Sequence, residues 1–282
     1  MNTASIAGSS SQTWLVTGSS RGIGAALVRA LAADARSARL RMILLARDEA
    51  RLTSLARELE PAEVVVRPVD LASPSAAAAV GERLASEIEG KAILVHNAGL
   101  WPRERVVGAS PAVEASFAVN CLSPLALQAP LLRRGALSRV LVVGAGLMVL
   151  GRFDAERTPV GLDFSSFRTY ANTKLAGAIA MREAARRYPE VDFAVVHPGV
   201  VRTELGDRDG LLGRLLTLAK RRMESPEVCA ARLTRLLAIP RWQDSPGAAA
   251  WYFEEERRSW PAVADRYASQ VLAALSALAP TD

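Results

Sequence analysis

The chain is poor in the residues that build covalent and metal frameworks: two cysteines and two histidines in 282 residues. Cys121 and Cys229 are far apart and have no CxxC partner. This excludes a disulfide-stapled fold and a Cys/His zinc site, and both are expected to be reduced, half-buried thiols. His96 and His197 close two short apolar runs and read as structural side chains. No metal is expected, because no His, Cys or acidic cluster has ligand spacing. No run reaches the ~18 apolar residues of a membrane span, and the longest candidate, 140–150, is interrupted by Gly144 and Gly146. The N-terminus lacks the charged-then-apolar pattern of a signal peptide. A cytoplasmic protein without stable membrane insertion is the expectation. Charge of one sign is not concentrated either: 35 Lys and Arg are interspersed with 29 Asp and Glu, for a net +6. That pattern describes a solvated surface, so no nucleic-acid partner is expected. Part of the cationic excess could serve a phosphorylated ligand.

What the chain does have is apolar surface in short pieces. Half its residues are hydrophobic and 23% are charged, enough for a full core without cross-links. Residues 1–12, rich in Ser, Thr and Ala, are expected to be a disordered tail before one domain spanning 13–282. Apolar runs at 14–17, 42–46, 63–69, 93–96, 140–143, 193–197 and 248–253 read as strands. Between them lie helical patterns, over 48–59, 74–88, 111–132 and 170–188 and after the first strand, where Ile23, Ala26, Leu27, Ala30 and Leu31 recur at helical spacing. Continuous rather than alternating apolar strands are buried on both faces. Strand–helix alternation then predicts an α/β fold: a doubly wound parallel sheet (Rossmann fold) of about seven strands, with helices on both faces. Two long irregular stretches, 146–169 and 202–225, follow strand ends, where ligands bind in such sheets.

The first strand runs into Thr17-Gly18-Ser19-Ser20-Arg21-Gly22-Ile23-Gly24. Gly18 permits a tight turn, while Gly22 and Gly24 let backbone N–H groups and the helix N-terminus approach a pyrophosphate. Glycines placed between a first strand and a first helix are a specific nucleotide signature.

This Thr-Gly-x-x-x-Gly-x-Gly spacing resembles the short-chain dehydrogenase/reductase family. Three further motifs agree in order: Asn97-Ala98-Gly99 after the fourth strand, Tyr170-Ala171-Asn172-Thr173-Lys174 opening a helix, and His197-Pro198-Gly199-Val200-Val201-Arg202-Thr203 after the sixth. The resemblance covers about 13–205, and its second half looks most like the retinol-dehydrogenase-like branch. It implies a nicotinamide cofactor held by Gly18, Ser20, Arg21, Gly22, Ile23 and Gly24. Asp70 and Leu71 would flank the adenine, and Asn97, Ala98 and Gly99 would line the ribose. Tyr170, Lys174, Pro198, Gly199, Val201 and Thr203 would also contact the cofactor, with Lys174 holding the nicotinamide ribose. It also implies a small-molecule substrate and either a monomer or a homo-oligomer.

The choice of cofactor turns on the end of the second strand, Ala46-Arg47-Asp48. An acid there binds the ribose 2′-OH of NAD, whereas an Arg accommodates the 2′-phosphate of NADP. Arg47 falls at the discriminating position and Arg21 could add a second guanidinium, which favours NADP. The alternative has Asp48 pointing inward and Arg47 stacked on adenine.

Tyr170 and Lys174 are four residues apart and share a helix face. An ammonium beside a phenol lowers its pKa, so the pair can pass a proton to or from a substrate oxygen. By resemblance, Asn120 supports a water relay to the Lys; the bland alternative is a buried Asn satisfied by backbone. The family's remaining member, a Ser at the end of the fifth strand, is replaced here by Ala145. Losing one such donor can cost ~10²–10³ in rate. Three explanations stand: Ser165, Ser166 or Thr169 substitutes; Tyr170 acts alone on a reactive substrate; or the chain binds NADP without ordinary carbonyl chemistry, as a non-redox enzyme or a regulatory protein.

The segment 210–223 has a helical apolar stripe with basic residues opposite. It reads as part of a substrate lid over about 204–225, with a membrane-surface helix as the alternative. Trp101, Met148, Phe153 and Trp260 are candidates either for an apolar pocket or for ordinary core. Together these features point to a carbonyl–alcohol oxidoreductase acting on a bulky, mostly apolar substrate.

Overall fold

The computed structural model describes residues 12–34, 40–60, 62–108, 112–201 and 224–278. Strands β1 (Gln12–Thr17), β2 (Leu40–Ala46), β3 (Glu63–Pro68), β4 (Ala92–His96), β5 (Leu137–Val143), β6 (Asp192–His197), β7 (Ala250–Phe253) and β8 (Glu256–Arg258) form one sheet. Its order is β3-β2-β1-β4-β5-β6-β7-β8. The first seven strands run parallel, and β8 returns antiparallel to β7. Seven strands were expected. The eighth is a three-residue exposed piece, too short and too charged for an apolar pattern to reveal. Gln12 opens β1 and so belongs to the sheet, not to the tail expected over 1–12; the rest of that tail lies outside the described residues.

Among the described residues, seven helices flank the sheet: α1 (Gly22–Asp34), α2 (Glu49–Glu58), α3 (Pro74–Glu87), α4 (Ala115–Arg133), α5 (Ser166–Arg187), α6 (Pro226–Ala238) and α7 (Ala262–Leu278). Strand residues divide by parity between two cores. Leu15, Ile43, Leu94, Val140 and Val142 join residues of α3, α4, α5 and α7 on one face. Trp14, Val16, Met42, Val95 and Leu141 join α1, α2 and α6 on the other. This double coverage is why the strands read as unbroken apolar runs. The sequence pattern had not marked α6, α7 or the 3₁₀ turn Gly146–Leu150.

Side chains set the helix starts. Asp48 accepts the Arg51 N–H at the head of α2, Ser73 caps α3 and Ser225 caps α6. Buried Glu114 caps α4 through Ser116 and Phe117. Inside α4, residues Ala118–Leu122 widen into a π-turn, with the Ser123 N–H donating to Ala118 O five residues back. Pro124 lies four residues after Asn120 and has no N–H, so the Asn120 carbonyl loses its helical donor there. By length and composition α4 is apolar enough to cross a membrane, contrary to the expectation that no segment is. Two thirds of it is buried inside the protein, the position of a core helix.

Both cysteines are fully buried rather than half-buried, and burial pushes each thiol up to about 12. His96 is also buried, hydrogen-bonded to Gln128 at 3.1 Å, and burial holds its imidazole down at about 4. Many of the scattered arginines pair with surface acids, as Arg29 does with Glu58 and Arg235 with Glu255.

Candidate active site

The strand order reverses between β1 and β4, and the glycine loop sits at that point. Gly18 (φ 66°) and Gly22 (φ 56°) take left-handed backbone, which side-chain-bearing residues resist. A methyl on Gly24 would stand 2.3 Å from the Gly18 carbonyl oxygen, so the loop folds tightly onto α1 only because Gly24 has none. Asn97 braces the same loop from β4. Its amide donates to the Thr17 and Gly18 carbonyls at 3.0 and 3.1 Å. The Asn97 and Ala98 N–H groups both donate to Thr17 Oγ1. Asn97 therefore acts here as a brace for the phosphate loop, and what it offers a ribose is limited to the rest of the residue.

At the end of β2, Asp48 is engaged twice, in the α2 cap and in an ion pair with Arg51 at 3.2 Å. The alternative in which Asp48 turns inward is not what the structure shows. Arg47 is exposed beside it, and Arg21 is exposed on the glycine loop. Asp70 is exposed, with its carboxylate accepting the Ala72 N–H. Leu71, expected at the adenine flank, keeps its side chain in the core at 6% exposure, and its carbonyl accepts Ser123 Oγ. What it presents to a nucleotide is backbone. Ser20, Ile23, Ala98 and Gly99 are half-buried around the same edge.

Tyr170 and Lys174 are both buried on α5. The ammonium lies 5.9 Å from the Tyr170 ring centroid and donates to the Val143 carbonyl at 2.9 Å. That bond ties Lys174 to the C-terminal end of β5, two residues before Ala145. Burial lowers the ammonium to about 8 and pushes the Tyr170 phenol up. Ala145 is buried in extended backbone and carries no donor. Of its three candidate replacements, Ser165 is exposed, Thr169 accepts the Ser165 N–H, and Ser166 accepts the Trp101 indole N–H at 3.1 Å.

Asn120 closes the site from α4. Its amide donates to Leu100 O and Thr173 Oγ1, and its oxygen accepts the Leu100 N–H, all within 2.9 Å. Two of these three bonds are to the Leu100 backbone and one is to the Thr173 hydroxyl. Its backbone carbonyl, lacking its helical donor, faces Gly177 on α5, where an added methyl would stand 2.6 Å from it.

Beyond β6, Pro198 and Gly199 are buried, and Gly199 (φ 94°) lies under the Arg232 guanidinium. Arg232 donates to Pro198 O at 2.6 Å and makes a two-pronged pair with Glu224. Val201 bridges to Glu224. Thr203, the lid over about 204–225 apart from Glu224 and Ser225, and the amphipathic stretch 210–223 lie outside the described residues.

Of the four pocket candidates only Trp101 reaches the site, stacked on Tyr170. Met148 and Phe153 are core side chains, and Trp260 packs on Trp251 away from Tyr170. Arg232 is a structural member of the site that the sequence motifs do not include, and Thr17, Thr173 and Ser166, though they stand in or beside those motifs, take structural contacts that the motifs do not show. Each acts through a residue distant in sequence, so none leaves a local pattern.

A parallel sheet with a glycine loop at its switch point and a Tyr/Lys pair beside the fifth strand defines a dinucleotide-binding oxidoreductase class. The family model of the short chain dehydrogenases matches residues 12–151. Mouse retinol dehydrogenase 14 is 31% identical over 216 residues, covering 69% of this chain and 63% of its own length. A Streptomyces protein named as a candidate daunorubicin C-13 ketoreductase is 31% identical, covering 69% of this chain and 68% of its own. A short chain dehydrogenase from Burkholderia cenocepacia, solved in complex with NADP, superposes with a TM-score of 0.62 at 23% identity over 86% of this chain and 96% of its own. The chain belongs to the short-chain dehydrogenase/reductase family, with retinol dehydrogenases among its relatives, and spans a little under two thirds of the mouse enzyme's length.

Proposed function

We propose that this chain is an NADP-dependent reductase acting on the carbonyl of a bulky, mostly apolar small molecule. The observation that carries the cofactor choice is the double engagement of Asp48, which leaves the Arg47 guanidinium as the group presented at the end of β2. The residues fit the nucleotide: Gly18 and Gly22 take left-handed backbone and Gly24 packs against the Gly18 carbonyl, so the loop turns tightly and brings the N-terminus of α1 to the switch point. Arg47 and Arg21 would hold the 2′-phosphate. When bound, the cofactor supplies a hydride.

The protein's own part is the proton. Burial pushes the Tyr170 phenol above its ordinary range, so it is protonated at neutral pH but a weaker acid, and it gives its proton to a substrate oxygen only where the phenolate left behind is stabilised. Lys174, cationic below about pH 8, stabilises the phenolate left behind. Asn120 holds the β4 loop and α5 in register around the pair. Trp101 and the exposed Phe167, 6.1 Å apart, make the surroundings of Tyr170 apolar, in keeping with an apolar substrate.

A second reading is favoured by Ala145. With no hydroxyl at the end of β5, the chain would bind NADP without redox turnover. A titration of NADPH and NADH by nicotinamide fluorescence, on wild type and Arg47→Ala, tests the shared part of both. NADPH should bind roughly tenfold or more tighter than NADH, and Arg47→Ala should remove most of that preference, since a charge-assisted pair contributes ~1.5–3 kcal/mol. Absence of binding by either nucleotide would sink both readings.

A further inference from the structure

We infer that Trp101 is the positioning residue for the Tyr170 ring, doing by stacking what a hydroxyl at position 145 cannot do here; this rests on Tyr170 being the proton donor proposed above. The indole lies flat against the phenol, with ring centroids 4.3 Å apart and planes 6° apart. Its N–H donates to Ser166 Oγ at 3.1 Å. Ser166 stands four residues before Tyr170 on α5, on the same helix face. One side chain from the β4 loop therefore touches α5 at two successive turns.

The base of that side chain is equally fixed. The neighbouring residue, Leu100, gives its N–H to Asn120 and receives the Asn120 amide on its carbonyl. The same Asn120 amide group reaches Thr173, whose hydroxyl donates to the Tyr170 carbonyl. Trp101 and Tyr170 are thus held against each other from both backbones. The indole covers one face of the phenol ring, so the ring's rotation about its own axis is blocked and a substrate must approach from another side. A hydroxyl beside the phenol would orient the substrate oxygen directly. With Ala145 in place, the aim of the phenol depends on how rigidly its ring is held.

The test is fluorine NMR on the full-length chain carrying 3-fluorotyrosine, with and without NADPH. The chain has four tyrosines, and Tyr170→Phe assigns the signal. Tyr170 should give one upfield-shifted resonance from the indole ring current. In Trp101→Ala that shift should vanish and the signal broaden or split, while Trp101→Phe should retain most of it. NADPH-dependent reduction of phenanthrenequinone as a probe should fall roughly tenfold to a hundredfold in kcat in Trp101→Ala, with NADPH affinity little changed, and recover in Trp101→Phe. An identical Tyr170 resonance in wild type and Trp101→Ala would overturn the inference. So would unchanged kcat. If the signal moves as expected but the wild-type chain turns over no probe, the reductase reading falls and the positioning of the ring stands.

Discussion

Ala145, two residues past the end of β5, is a buried methyl at the position where the family resemblance leads one to expect a hydroxyl. Restoring the hydroxyl asks whether the site still needs it. Ala145→Ser should raise kcat by ~10²-fold if the donor was lost without replacement, read as NADPH oxidation with a carbonyl probe. An unchanged or lower rate would mean that the Trp101-held phenol suffices. At the cofactor end the same residue-scale economy holds. Asp48 stabilises α2 and pairs with Arg51, and the exposed Arg47 beside it is the residue proposed above for the 2′-phosphate.

Among the elements, α4 and α5 meet where α4 is irregular. The π-turn at Ala118–Leu122 and the missing N–H of Pro124 turn the Asn120 carbonyl toward Gly177. Gly177→Ala puts a methyl 2.6 Å from that oxygen, with backbone on both sides and no flexible side chain to yield. The helices must part, at a cost of about 1–3 kcal/mol. Lys174, three residues before Gly177, should be displaced with them. A lower urea midpoint together with weakened NADPH binding is expected. A loss of stability that leaves nucleotide affinity intact would show that the contact serves packing alone. The insert before α5 is held in the same way: Asn172 accepts the Arg152 N–H at 2.7 Å, and Asp163 takes Thr158.

Across the whole molecule, two bases are buried on the same face of the sheet, and both make stability depend on pH. His96 titrates at about 4 folded against 6.5 unfolded. Its contribution is complete above pH 6.5 and is lost as pH falls, reaching about 2 kcal/mol by pH 5. Lys174 titrates at about 8 folded against 10.5 unfolded. Its burial is unfavourable below pH 8, by about 3 kcal/mol near pH 7, and the penalty fades as pH rises toward 10.5. Urea midpoints at pH 5, 7.5 and 9.5 should therefore rise with pH. Lys174→Met should be more stable than wild type at pH 7.5, with the gap narrowing by pH 9.5, and His96→Leu should flatten the acid arm. A constant gap between Lys174→Met and wild type would contradict the depressed ammonium.

The alternation of strands and helices from β1 to β6, the two-faced burial and the glycine loop were all local matters. Apolar runs such as 42–46 and 193–197, and glycines at 18, 22 and 24, act through their own chain geometry, and the sequence by itself determined them. The Tyr170/Lys174 pair was equally legible, because four residues on a helix always share a face. Other features came only with tertiary structure. Leu71 keeps its side chain in the core, which no spacing announced, since its burial depends on α4 packing beside it. Asp48 read as an open choice until its cap and its ion pair with Arg51 formed. The Trp101 stack joins residues 69 positions apart, and Arg232 reaches Pro198 across 34. Such contacts depend on where whole elements come to rest, and no spacing along the chain records that.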